Sequence, residues 1–127
     1  MDTLICQKII EKYIKAYNSF DIDKMLTDMD DNVRFENISD GEVNLVTNNI
    51  SELRIQAEQA RQFFKEREQT ITNYIFSDNL VEVHIDYKGI LAIDFPNGLK
   101  AGDKIELKGK SVFKFKNNKI IELKDIS

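Results

Sequence analysis

Between Leu4 and Phe20 the apolar residues Ile5, Ile9, Ile10, Tyr13, Ala16, Tyr17 and Phe20 recur every three or four positions, the stripe of a helix with one buried face. Asp2 or Thr3 is placed to cap it, Asn18-Ser19 interrupts it, and Asp21 offers an N-cap to a second helix carrying Ile22, Met25, Leu26 and Met29. After Asp30-Asp31-Asn32 the period changes from about 3.6 to two, with Val33, Phe35 and Asn37 on one face of a strand. Asp40-Gly41 then predicts a tight turn into a second strand over Val43 to Val46. A third helix is expected from Ile50 to Arg67, opened by a capping box of Asn49 and Glu52, with Leu53, Ala57, Ala60, Phe63 and Phe64 facing inward. From Thr70 onward the chain reads as strands over 70–77, 80–94, 104–116 and 119–126, separated by Asp78-Asn79, Pro96-Asn97-Gly98, Gly102-Asp103 and Asn117-Asn118. Three helices interleaved with a hairpin and followed by an antiparallel meander predict an α+β domain with helices on one face of a curved sheet.

Composition narrows the function classes. With 127 residues, 42% hydrophobic, 31% charged and one proline, the chain is long enough for one domain, residues 1–127, with its own core. Cys6 is the single cysteine, so no internal disulfide is expected, and with no apolar run near the ~20 residues of a membrane span the expected location is cytoplasmic. A net charge of -4 argues against a nucleic-acid partner, because phosphate contacts need a basic surface. Neither a Cys/His set nor a calcium-type loop is present; Asp28, Asp30 and Asp31 read as a solvated helix end, and no cofactor or metal is expected.

Strand alternation sorts the inward rows: Val33, Phe35, Asn37; Val81, Val83, Ile85, Tyr87; Ile105, Leu107, Gly109, Ser111, Phe113, Phe115; and Ile121, Leu123, Asp125. The polar exceptions on these rows, Asn37, Ser111 and Asp125, are joined by the phenols of Tyr13 and Tyr87, and a buried polar group needs a partner or a purpose. The only histidine, His84, falls on the opposite row with Glu82, Asp86 and Lys88, and reads as an outer-surface residue.

Three segments carry a resemblance over nearly the whole chain: Glu11 to Asn18 with Asp21-Ile22-Asp23; Asp31 to Asn37; and Asn97 to Gly102 with Gly109 to Phe115 and Lys119 to Glu122. In order and spacing they resemble the nuclear transport factor 2-like superfamily, in its SnoaL-like branch. The resemblance implies a conical half-barrel, a curved, mostly antiparallel sheet wrapped around three helices in the cystatin-like manner, with an apolar cavity entered at the wide end. That scaffold hosts isomerases, dehydratases, cyclases, carriers and adaptors, so fold does not name the reaction. In the steroid isomerases of the superfamily a helix-one tyrosine and a protonated aspartate hold the enolate oxygen while a second aspartate moves the proton. Tyr13 matches the tyrosine, but the base position falls on Asn37 and the acid position on Ser111, so that machinery is not carried over and no ketosteroid isomerisation is expected. Many relatives carry a histidine-any-aspartate pattern on the last strand; Leu123-Lys124-Asp125 keeps the aspartate alone.

Tyr13 and Asp125 are therefore the candidate catalytic pair, with Tyr17, Phe35, Asn37, Phe64, Tyr87, Ser111 and Phe113 as candidate ligand contacts. Two function classes remain. One is a barrel that binds a small apolar or amphipathic molecule, with acid/base chemistry of the isomerase, cyclase or dehydratase type; the other is a dimeric adaptor or carrier whose cavity is filled by aromatic side chains. A homodimer through the sheet is expected, with the Glu82 to Lys88 row facing the lysine-rich closing hairpin of a twin across a two-fold axis.

Overall fold

Asp2 begins the first helix by accepting hydrogen bonds from the backbone N–H groups of Leu4 and Ile5, at 3.0 and 3.2 Å. The computed structural model describes residues 2–127. Helix α1 (Thr3–Asn18) is followed by α2 (Ile22–Leu26), strands β1 (Met29–Ser39) and β2 (Glu42–Thr47), helix α3 (Ile50–Arg61), and strands β3 (Phe64–Ser77), β4 (Leu80–Leu91), β5 (Lys104–Lys116) and β6 (Lys119–Ile126). The strands form one six-stranded curved sheet in the order β2-β1-β6-β5-β4-β3. It is antiparallel throughout except where β1 lies parallel to β6. The helices pack on one face, and the sheet does not close. Val33, Val81, Val83, Phe113 and Leu123 meet Ile10 of α1 in the core. Among the described residues no helix is long and apolar enough to cross a membrane.

Several boundaries differ from the expected ones. Helix α2 stops at Leu26 and Met29 already belongs to β1, because β1 takes up its partner β6 from Met29 opposite Ile120. Helix α3 ends at Arg61 instead of Arg67, and Phe64 starts a strand; Phe63 and Phe64 are therefore not on a helix face. The cause is tertiary pairing: Phe64, Arg67 and Gln69 stand opposite Leu91, Gly89 and Tyr87 of β4, and that ladder outweighs helix propensity. Strand β4 ends at Leu91, three residues short of Asp94. On β6 a register shift opposite Lys114/Phe115 buries Ile120 instead of Ile121.

The end of α1 positions the site. Asp21 N–H donates to the Ala16 carbonyl at 2.9 Å and Phe20 N–H to that of Tyr17 at 3.2 Å, the two bonds of a Schellman closure. Its left-handed position, usually glycine, is taken by Phe20 at φ 59°. For a bulky residue that conformation costs on the order of 1–2 kcal/mol, and the Phe20 ring is held against the guanidinium of Arg67, whose Cζ lies 4.5 Å from the ring centre.

Candidate functional site

Three adjacent strands place Asn37, Asp125 and Ser111 side by side: Asn37 is opposite Asp125 across the parallel β1–β6 pair, and Asp125 is opposite Ser111 across β5–β6. The polar exceptions of the sequence are thus one row. Ser111 Oγ donates to Asp125 Oδ1 at 2.7 Å, while Asn37 turns its Nδ2 to Asn44 Oδ1 of β2 at 2.9 Å. Burial pushes the Asp125 carboxyl up from 3.8 to about 6, against the opposing pull of the Ser111 hydrogen bond, which favours the ionised form.

A cavity of about 230 Å³ opens beside this row. Asn37, Ser111 and Asp125 form one part of its wall, Ile85, Ile105, Leu107 and Phe64 its apolar part, and Tyr17, Tyr87 and Gln69 a second polar group. Lys110, Ile126 and Ser127 also line it, and Leu107 is 42% exposed, so this expected inward residue reaches solvent. Gly109, between Leu107 and Ser111 on β5, has no room for a side chain: a Cβ there would stand 2.8 Å from the Ile126 carbonyl oxygen. The missing side chain lets β6 approach closely enough for Asp125 and Ser111 to bond.

The hydroxyls of Tyr17 on α1 and Tyr87 on β4 are 2.9 Å apart, and their rings meet edge-on at 6.2 Å. Phe64 packs edge-on against the same Tyr87 at 6.0 Å. Burial raises the pKa of both phenols, for Tyr17 against the opposing charge of Arg67, so both stay protonated near neutral pH and can donate.

Of the expected site residues, Tyr17, Asn37, Phe64, Tyr87, Ser111 and Asp125 line this cavity. Tyr13, Phe35 and Phe113 do not. Phe113 is fully buried and Phe35 lies in the same core cluster. Tyr13, one turn before Tyr17, meets Phe113 edge-on at 5.7 Å. Burial first, and then the charge of Asp125, holds the Tyr13 phenol well above its usual pKa. His84 pairs with Glu82 at 2.8 Å in the outer row, away from the cavity. Asp28 pairs with Lys12, and Asp30 accepts from the Asn32 N–H. Among the described residues no group of three or more His, Cys, Asp or Glu side chains is placed to hold a metal ion.

Arg67 and Gln69 were not anticipated, because both fell in or beside the expected end of α3. Asn18 clamps Gln69 through its backbone, with Nδ2 donating to the Gln69 carbonyl at 3.1 Å and Oδ1 accepting from the Gln69 N–H at 2.7 Å. The Gln69 Oε1 is buried without a partner on the wall of the cavity. The signal is present as the alternation Arg67, Gln69, Ile71, which continues the period of two backwards from the strand expected at 70–77.

Solved structures of the same fold include a proposed polyketide cyclase from Xanthomonas campestris pv. campestris, 15% identical, with a TM-score of 0.83 over 98% of this chain and 90% of that one. A proposed hydroxylase, AclR from Streptomyces galilaeus, is 12% identical, with a TM-score of 0.74 over 94% and 85%. An uncharacterised cystatin-fold protein from Novosphingobium aromaticivorans is 17% identical, with a TM-score of 0.76 over 94% and 96%. At these identities the likeness is one of fold. No curated protein sequence matches the chain. The model of the SnoaL-like domain matches residues 10–123, from within α1 to within β6 and including every cavity residue except Asp125, Ile126 and Ser127, and the chain belongs to that family within the nuclear transport factor 2-like superfamily.

Proposed function

We propose that this protein binds a small, largely apolar molecule in the cavity and that Asp125 moves a proton to or from it while the Tyr17–Tyr87 pair hydrogen-bonds a carbonyl or hydroxyl oxygen of the same molecule. The observation that carries the reading is the Asp125 carboxyl on the cavity wall, tied to Ser111 at 2.7 Å and raised to about 6. A carboxyl with that pKa exchanges its proton readily near neutral pH, as a general acid or base must. Protonated phenols across the cavity supply the donor that a developing enolate needs. This assigns to Tyr17 and Tyr87 the part expected of Tyr13, which lies outside the lining. The reaction class is proton abstraction next to a carbonyl, the step shared by isomerases, cyclases and dehydratases. A volume of about 230 Å³ lies under the ~300–1,000 Å³ of sites for drug-sized ligands, which favours a one- or two-ring molecule. Open space with several polar groups along its wall also speaks against a filled, purely structural interior.

The test is hydrogen–deuterium exchange at the α-carbons of 2-tetralone, followed by proton NMR. Wild-type protein is expected to accelerate exchange, and Asp125→Asn to lower the rate by about 10²- to 10⁴-fold. Exchange that is no faster than in buffer, or unchanged in the variant, overturns the proposal.

A further inference from the structure

Arg67 is a buried cation without a counter-ion. It is 5% exposed, and none of the ion pairs among the described residues includes it. Its Nε–H donates to the Tyr17 carbonyl at 2.9 Å, and its Cζ lies 3.7 Å from the Tyr17 ring centre. The end of α1 thus uses one of the five guanidinium N–H donors and offers the negative end of its dipole. Nη2 is buried with no partner at all. Burying a charge with donors unmet is costly, and a neutral side chain of similar size would avoid that cost.

Arg67 lines a second depression of about 520 Å³, distinct from the Asp125 cavity and sharing only Ile105 with it. Asn18, Phe20, Gly89 and Ile105 stand with Arg67 on the helix side of the sheet. The carboxylates that border it, Glu66, Glu68 and Glu106, fall in the alternate rows with Ile90, Lys88 and Lys104, which belong to the outer face. Among the described residues that line this depression, Arg67 is therefore the only charged one on the inner face, its guanidinium held against the Tyr17 and Phe20 rings.

We propose that this depression binds the carboxylate of a small aromatic or apolar acid, which takes the guanidinium donors that no protein group uses. A planar guanidinium matches a carboxylate, and the Phe20 and Ile105 surroundings suit an apolar body better than a strongly hydrated phosphate. The site stands independently of proton transfer at Asp125.

The experiment is a titration of the full chain with benzoate, with benzamide and inorganic phosphate as contrasts, read on the Arg67 Nε–Hε resonance and the amides of Asn18, Phe20 and Gly89. Saturable benzoate shifts at these positions are expected, with benzamide and phosphate weaker by about tenfold or more, the worth of a charged hydrogen bond. Arg67→Lys and Arg67→Met are each expected to weaken benzoate by a similar factor. Equal binding of benzamide or phosphate, undiminished benzoate binding by either variant, or shifts confined to Tyr87, Ser111 and Asp125 overturns the proposal. Should Arg67→Met not fold, the wild-type comparison and Arg67→Lys still decide it.

Discussion

Asp125 carries a charge that the folded chain disfavours, and the sign of the resulting pH dependence follows from its pKa. Below about pH 3 the carboxyl is protonated in folded and unfolded chains alike. Between the ordinary 3.8 and the folded value of about 6, the native protein holds a proton that the unfolded chain has lost, so stability falls as pH rises through that window. Above it the penalty is complete, roughly 2–3 kcal/mol. Asp125→Asn is therefore expected to raise the unfolding free energy by about that amount near pH 8 and to leave it nearly unchanged near pH 3, as urea melts at the two pH values would show. A loss of stability near pH 8 would mean that the carboxylate is favoured by the fold. Ser111→Ala removes the hydrogen bond that favours the ionised form, so the carboxyl midpoint followed by ¹³C NMR should move above its wild-type position. The two helix tyrosines separate the same way. Tyr17→Phe leaves Tyr87 without its 2.9 Å partner and should cost about 1 kcal/mol in thermal unfolding and slow 2-tetralone exchange. Tyr13→Phe, outside the lining, should leave that exchange within about twofold of wild type.

At the scale of elements, the strands after Thr70 and the polar row Asn37, Ser111, Asp125 were legible because a period of two fixes which side chains share a face. What joins faces on different strands is register, and register is set by pairing that no single strand encodes. The displaced buried position on β6, Ile120 in place of Ile121, arises from such a shift opposite Lys114/Phe115. The boundary of α3 failed for a related reason: Phe63, Phe64 and Arg67 fit a helical face locally, and only the ladder to β4 makes residues 64–69 a strand. With that segment went Arg67 and Gln69, so one half of the polar surroundings of Tyr17 could not be placed. Helix starts fared better, since caps are local. Asn49 accepts from the Glu52 N–H at 2.9 Å as expected, although Glu52 reaches back to the Asn48 N–H. Gly109 shows what an element tolerates once register is set. A methyl group at this position would stand 2.8 Å from a backbone carbonyl of β6, and a backbone neighbour gives way only if the strand moves. Gly109→Ala should therefore lower stability by roughly 1–3 kcal/mol and should break the Ser111–Asp125 contact, seen as a changed Asp125 carboxyl midpoint. A variant with wild-type melting and an unmoved midpoint would show that β6 accommodates the methyl group.

For the molecule as a whole, the outer face of the sheet is knit together by ion pairs within one chain, most of them between neighbouring strands and one, Lys124–Glu122, along β6. Lys108 reaches Asp86 at 2.8 Å, Lys110 reaches Glu82 at 3.4 Å, and Lys124 reaches Glu36 at 3.8 Å and Glu122 at 3.4 Å. Of the charges expected to pair across a two-fold axis, Glu82, His84, Asp86, Lys108, Lys110 and Lys124 already have partners in their own chain, and Lys88 is in none of the ion pairs among the described residues. A contact that buried them would strip water from satisfied pairs, whose surface worth is only about 0–1 kcal/mol each. The homodimer proposed for this face must then draw its affinity from the apolar positions between the charges, such as Ile75, 45% exposed opposite Glu82. Sedimentation velocity is expected to show a dimer at micromolar concentration whose dissociation constant changes little between low and moderate salt, since internally compensated charges contribute little net field to screen. Ile75→Lys should move the chain toward monomer while leaving its melting temperature close to wild type, the residue being on the surface of an intact strand. A chain that stays monomeric at these concentrations overturns the dimer, and a dimer that dissociates steeply with salt would instead return the interface to charge pairing between subunits.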